Sequence, residues 1–118
     1  MTATASALYS FFSSFGWPAY AENTIPVNAE LPYITYSPIQ PDWRDEAILQ
    51  ARLWDRSTSY ESVNGKADQI AAMIGEGLRI PVGRGFIWIN KGTPFAQAMS
   101  TSADIKVLYL NMTLQSLT

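Results

Sequence analysis

The sequence predicts an α+β fold, with a mostly antiparallel sheet of about five strands and two helices packed on one face. Two stretches of the 118-residue chain repeat apolar residues at spacings of three and four, the pattern of an amphipathic helix. Other stretches alternate apolar and polar residues, and such stretches follow one another in pairs, which is typical of antiparallel hairpins. Segregated hairpins and two helices favour one domain over residues 1–118, with the order α-β-β-α-β-β-β.

The first predicted helix spans residues 3–15. Four apolar residues recur at i, i+3, i+4 and i+7, with serines between them: Leu8, Phe11, Phe12 and Phe15. Gly16 and Pro18 end the helix. We expect the phenylalanines to pack on the sheet rather than on a lipid surface, because the polar side of the helix has no Lys or Arg to bind lipid headgroups.

The central helix, predicted within residues 57–77, is the element on which the rest of the chain is expected to pack. Its apolar stripe consists of Tyr60, Val63, Ala67, Ile70 and Ile74. Thr58 and Glu61 form a capping-box pattern that predicts the start of the helix, and Gly75 predicts its end. Asn64-Gly65 is also a favoured hairpin dipeptide, but the alanine-rich residues that follow it favour a helix.

The predicted strands are Leu31–Ser37, Glu46–Arg56, Leu78–Val82, Phe86–Asn90 and Ile105–Leu117. We expect the first two to form an antiparallel hairpin, and the third and fourth to form a tighter one through two glycines. The last strand is apolar on both faces near its start, which indicates a central place in the sheet or coverage by another subunit. Residues 91–104 are predicted to be irregular.

Composition excludes several classes of protein. The chain has no cysteine and no histidine, so it has no disulfides, no thiolate chemistry and neither of the commonest metal ligands. Its net charge is −2 and its Lys and Arg residues form no cluster, which argues against a nucleic-acid reader. No apolar run approaches the ~20 residues of a membrane span. We expect the protein to bind no cofactor, no metal and no membrane. Its expected location is a cytoplasm or a particle assembled there.

Three small groups of residues could carry chemistry or recognition. The carboxylates of Asp42, Asp45 and Glu46 could serve an enzyme or hold a metal, but they lie too close together to frame a sugar ring, and a solvated loop is favoured. Gly83-Arg84-Gly85 lacks the spacing of a phosphate loop and is favoured as a hairpin turn. Arg52, two positions from Trp54, is either a recognition site or a stacked surface pair.

Several motifs, spread over most of the chain, resemble small proteins encoded between the head and tail genes of long-tailed bacteriophages and prophages. They are Glu30-Leu31-Pro32-Tyr33-Ile34-Thr35-Tyr36, Asp42-Trp43, Arg52-Leu53-Trp54, Arg56-Ser57-Thr58-Ser59, Ile87-Trp88-Ile89, Lys91-Gly92-Thr93-Pro94-Phe95-Ala96-Gln97 and Val107-Leu108-Tyr109-Leu110-Asn111-Met112. Proteins of this kind are known as minor capsid or tail-completion proteins, and the chain is similar to their tail-terminator group. None of the motifs is catalytic.

The resemblance implies a structural virion protein at the head-tail junction rather than an enzyme. It implies an α+β subunit that forms a hexameric ring, caps the tail tube and joins it to the head connector, with DNA passing through unbound. A head-completion or stopper protein, a minor capsid protein and a phage-encoded binding module are the alternatives. The candidate residues for contacts between subunits or with partners are Trp43, Arg44, Arg84, Phe95 and Met99.

Overall fold

Two helices cover one face of a six-stranded sheet. The computed structural model describes residues 3–39, 47–83, 85–100 and 104–117. The elements are α1 (Ala3–Ser13), β1 (Ala19–Ala21), β2 (Tyr33–Ile39), β3 (Ala47–Arg56), α2 (Glu61–Ile74), β4 (Leu78–Val82), β5 (Gly85–Ser100) and β6 (Ile105–Leu117), with a short 3-10 turn at Glu22–Thr24.

The strands lie in the order β1-β2-β3-β6-β5-β4, so β6 occupies the central place that its two-sided apolar pattern predicted. All neighbours are antiparallel except β1, which runs parallel to β2. The α+β class and the predicted hairpins are therefore confirmed. The sixth strand, β1, is not among the predicted strands, because three residues are too few to show a period.

The hydrophobic core lies between the helices and the facing side of the sheet. Along β3, Leu49, Ala51 and Leu53 are fully buried, while the residues between them are at least partly exposed. This alternation places one side of the strand against the helices, as the period of two requires. From α1, the ring of Phe12 stacks on Tyr36 of β2 at a centroid distance of 4.8 Å. The helix phenylalanines thus pack on the sheet, as predicted.

Helix α2 buries Val63, Ala67, Ile70 and Ile74, which confirms the stripe predicted for the central helix. Its predicted start is wrong. Tyr60 occupies the N-cap and no side chain caps it, so Thr58 does not form a capping box. The hydroxyls of Ser57 and Ser59 accept backbone N–H groups two residues on, at 3.1 and 3.4 Å, and these local serine turns replace the cap.

Helix α2 ends as predicted, at Gly75. The backbone of Gly75 has φ +55°, a region that residues with a side chain rarely adopt, and its N–H donates to the Ala71 carbonyl at 2.8 Å. The turn lets the chain reverse directly into β4.

Strand β5 is much longer than predicted, because it continues to Ser100 through a stretch expected to be irregular. Between Lys91 and Ala96 the strand advances five residues while its partner β6 advances two, so three extra residues bulge out of the ladder. Gly92 and Pro94 lie in this bulge and read as loop signals in the sequence.

Contacts with Asn111 of β6 hold the bulge in place. A side chain on Gly92 would bring its Cβ to 2.9 Å from the Asn111 carbonyl oxygen, so the two backbones can approach only with glycine here. The Asn111 side-chain amide donates to the Pro94 carbonyl at 3.1 Å. The bulge is therefore an ordered part of the sheet, and pairing with the long strand β6 outweighs the loop-like local sequence.

The packing of α2 predicts a large effect of one core substitution. Ile70→Ala removes three buried carbons from a fully buried site and should lower the free energy of unfolding by about 2–5 kcal/mol. Met73→Ala, on the exposed side of the same helix, should change it by no more than about 0.5 kcal/mol. Urea denaturation followed by circular dichroism measures both, and equal effects would contradict this packing.

The buried phenol of Tyr36 predicts a loss of stability in alkali. Burial raises the pKa of Tyr36, and repulsion from the Tyr9 phenolate raises it further. A raised folded-state pKa means that the contribution of neutral Tyr36 is present below the ordinary tyrosine pKa of about 10 and is lost as pH rises through the folded-state pKa. Tyr36→Phe should therefore lose less unfolding free energy than the native chain between about pH 9 and 11. Parallel curves of unfolding free energy against pH for the two chains would contradict this.

Candidate interface on the outer face of the sheet

The face of the sheet turned away from the helices, called the outer face below, carries two rows of large side chains. In the first row Tyr33 of β2 lies opposite Trp54 of β3, Trp54 opposite Val107 of β6, and Val107 opposite Met99 of β5. Val107 is 1% exposed although it lies on the side away from the helices, between the larger residues Trp54 and Met99 of the neighbouring strands. The first row is thus an apolar band across four strands.

The second row runs parallel to the first, two residues away from it on each strand. It places Thr35, Arg52, Tyr109 and Gln97 side by side on β2, β3, β6 and β5. The Arg52 guanidinium lies over the Tyr109 ring, 4.6 Å from its centroid, and also donates a hydrogen bond to the Tyr109 hydroxyl. The arginine therefore stacks on a residue of the neighbouring strand, a cation–π pair that sequence spacing could not identify.

Glu22, from the turn after β1, connects the two rows. Its carboxylate accepts hydrogen bonds from Arg52 at 3.0 Å and from the Thr35 hydroxyl at 3.1 Å. The Thr35 oxygen in turn accepts the indole N–H of Trp54 at 3.0 Å. Thr35 is fully buried, so this network satisfies a polar group that would otherwise destabilise the fold. The network fixes the orientation of the side chains that face outward.

Aromatic rings extend the outer face to the edge of the sheet. Tyr20 of β1 meets Tyr33 edge to face at 5.8 Å, and Tyr33 lies 6.0 Å from Trp54. Tyrosine, tryptophan, arginine and methionine are the residue types enriched in protein–protein interfaces. The outer face presents all four types on a rigid sheet.

The outer face has the residue composition of a protein-binding surface. Within the described ranges, no group of three or more His, Cys, Asp or Glu residues could hold a metal ion. None of the helices described is both long and apolar enough to cross a membrane.

The structure places two of the five residues predicted to make contacts. Met99 is 39% exposed and forms the β5 end of the first row. Phe95 lies in the bulge of β5, half-buried and packed against the core. Trp43, Arg44 and Arg84 lie outside the described residues, as do the three carboxylates of Asp42, Asp45 and Glu46. The role of all five in contacts stays a prediction.

Sequence reasoning missed most of the outer face. Tyr33, Arg52 and Tyr109 come from three different strands, and only the register brings them together. One signal was available, since Arg52 and Trp54 share a strand face at a spacing of two. The strand pairing that adds Tyr109 and Met99 could not be read from that spacing.

The fork of Arg52 predicts that lysine cannot replace it. Arg52 reaches Glu22 and Tyr109 with two different nitrogens, whereas a lysine ammonium has only one. Arg52→Lys should lower the free energy of unfolding by about 1–2 kcal/mol. Arg56→Lys is the matched control, because the Arg56–Asp104 pair is 64% and 59% exposed and should contribute no more than about 0.5 kcal/mol. Urea denaturation measures both, and equal losses would contradict the network.

Comparison with known proteins shows a likeness in fold. No protein-family model matches the chain, and no curated protein matches it in sequence. Among solved structures, the chain is similar to a chain in one described as the virion of native gene transfer agent (GTA) particle. The TM-score is 0.67, the identity is 16%, and the match covers 97% of each chain. The whole described arrangement of helices and strands is therefore a fold that a virion particle also contains.

Proposed function

We propose that this chain is a structural protein of a phage-like virion, located at the head-tail junction. It forms a hexameric ring that caps the tail tube and joins it to the head connector. The observation that carries the proposal is the likeness to a chain of the gene transfer agent virion, which covers 97% of both chains. The motifs that resemble tail-terminator proteins favour this location over others in the particle.

The outer face supports a role in assembly. A ring subunit must contact neighbours through unlike surfaces, because closed cyclic assemblies with more than two subunits are built from heterologous interfaces. The two rows of Tyr33, Trp54, Arg52, Tyr109 and Met99 supply one such surface, held rigid by the Glu22 network. A rigid surface loses little conformational entropy when a partner covers it.

The charge of the chain supports a channel that DNA passes without being held. The net charge is −2, and Lys and Arg number eight over 118 residues. Retention of DNA draws on clustered cations that displace counterions from phosphates. A ring of chains with this composition would repel DNA weakly and let it pass.

Assembly with tail tube subunits tests the proposal. The purified chain is mixed with the tube protein of the same particle, and light scattering and electron microscopy follow the products. The expected result is a ring at one tube end and a halt to tube growth. A protein that stays monomeric and never stops growth would contradict the proposal. Capture of the connector without the tube protein would instead assign it to the head side, as a stopper.

One substitution should separate assembly from folding. Met99→Asp places a charge at the end of the apolar first row and should lower ring formation at least tenfold, because burying the charge opposite Val107 is costly. Met73→Asp is the matched control, an exposed methionine of α2 that should assemble normally. Light scattering measures ring mass and circular dichroism measures folding. Equal behaviour of both variants would contradict an interface at the outer face.

A further inference from the structure

One edge of the sheet is open over the second half of β5. Strand β4 pairs only with residues 85–89, whereas β5 continues to Ser100 with β6 on its other side. Beside residues 90–100, the described part of the chain supplies no further strand. The hydroxyl of Tyr60, from the N-cap of α2, donates to the Met99 carbonyl at 2.9 Å. Tyr60 thus contacts the backbone of β5 from the helix side, and the hydrogen-bond ladder decides which groups of β5 face the open side.

The alternation of hydrogen bonds across the sheet identifies these groups. Between β3 and β6, the N–H of Ser57 donates to the Asp104 carbonyl, and every second pair along this ladder is bonded in the same way, so Val107 turns its backbone groups to β5 instead. Met99, opposite Val107, therefore bonds to β6, and Ala96 and Ala98 direct their N–H and C=O to the open side. Ala96, Gln97, Ala98 and Met99 are all exposed. Backbone donors and acceptors in such a row bind an extended strand, whatever its sequence.

The open edge lacks a usual defence against pairing. Soluble proteins commonly protect exposed edges with charged side chains, above all lysine. Residues 92–100 include no charged residue, and after the bulge the sequence reads Ala96-Gln97-Ala98-Met99-Ser100. Small, uncharged side chains let another strand approach closely. The edge therefore carries no charged side chain that would oppose pairing with another strand.

The opposite edge of the sheet offers a matching strand. Strand β1 covers only Ile34 to Tyr36 of β2 and is itself the last strand on that side of the described sheet. Ala19 and Ala21 of β1 face the helices, as Ala96 and Ala98 of β5 do, and Tyr20 lies on the outer face. A groove of about 730 Å³, lined by Leu8, Tyr9 and Tyr20 among others, opens beside β1 and leaves room for an incoming strand.

The two edges are also complementary in charge. Strands β4 and β5 contain Arg79 and Lys91 and no acidic residue. On the other side, residues 1–40 contain no basic residue, and Glu30 is their one carboxylate besides Glu22, which is paired with Arg52. Like edges would bring like charges together, whereas unlike edges bring opposite charges together.

We propose that the open edge of β5 pairs with β1 of a second copy of this chain, so that the sheet continues from one subunit into the next. This inference rests on the proposed ring and names its contact. Head-to-tail pairing of unlike edges is heterologous, and repetition of it closes a ring when the rotation between subunits fits. Each copy then has both of its edges covered.

Introduced cysteines test the pairing without interference, because the native chain has none. Gln97 and Tyr20 both lie on the outer face, and their backbone groups bond to β6 and β2, so across the new contact they would form a non-hydrogen-bonded pair. The Cβ atoms of such a pair are about 4.5 Å apart, within the reach of a disulfide. Two double variants cover two registers. One carries Tyr20→Cys with Gln97→Cys, and the other carries Tyr20→Cys with Met99→Cys. Oxidation should produce a ladder of covalent dimers, trimers and larger rings on a denaturing gel.

Single and displaced cysteines are the controls. Gln97→Cys alone and Tyr20→Cys alone should give no covalent dimer, because like edges do not meet. Asp68→Cys with Gln97→Cys places one cysteine on the exposed side of α2 and should remain monomeric on the gel. A dimer from Gln97→Cys alone would overturn the proposal in favour of a symmetric contact between two β5 edges.

A charge at the edge supplies an independent test. Ala98→Lys adds the side chain that protected edges carry and should lower assembly at least tenfold, with unchanged circular dichroism. Ala72→Lys, on the exposed side of α2, adds the same charge and should assemble normally. Rings that form by electron microscopy but give no ladder, and tolerate Ala98→Lys, would overturn the edge pairing while the proposed function stands. A chain that remains monomeric with tube subunits present would overturn both.

Discussion

The pairing of β3 with β6 is the interaction on which the rest of the structure depends. These two strands lie at the centre of the sheet, and their facing residues on one side are all apolar and buried, from Ala47 opposite Leu114 to Leu53 opposite Leu108. Helix α2 packs against both strands, and β2 and β5 extend the sheet on either side. One side of the central pair is thereby committed to the core.

Because the core takes only one side, the other side of the same strands is free for a second purpose. Residues one position away, Arg52, Trp54, Val107 and Tyr109, form the outer face. They are held by a network that includes a fully buried threonine and a half-buried ion pair, which is a costly arrangement for a surface whose only task is solubility. We propose that a partner covers this fixed aromatic and arginine surface.

Much of the fold could be predicted from local pattern. The stripe of α2, the alternation in β3 and the two-sided apolar start of β6 each reflect a period that burial imposes. The predicted start of α2 was wrong because the hydroxyls of Ser57 and Ser59 accept backbone N–H groups in place of a Thr58 cap. The second half of β5 was missed because Gly92 and Pro94 carry loop signals that pairing with β6 overrides.

The candidate interface was less predictable for a different reason. Met99 was identified as a large apolar residue among small ones in a predicted loop, but its neighbours Val107 and Trp54 lie on other strands. Their proximity depends on register, which involves residues more than forty positions apart in the case of Trp54 and Val107. The likeness to a virion chain at 16% identity shows the same limit, since the fold persists where sequence comparison finds no family.

Localisation of the protein on assembled particles tests the central claim most directly. Particles purified from a lysate would be labelled with a gold-conjugated antibody against the native chain and imaged by electron microscopy. The account predicts one cluster of gold at the junction of head and tail. Label spread along the tail or over the head, or particles that contain none of this chain, would contradict it.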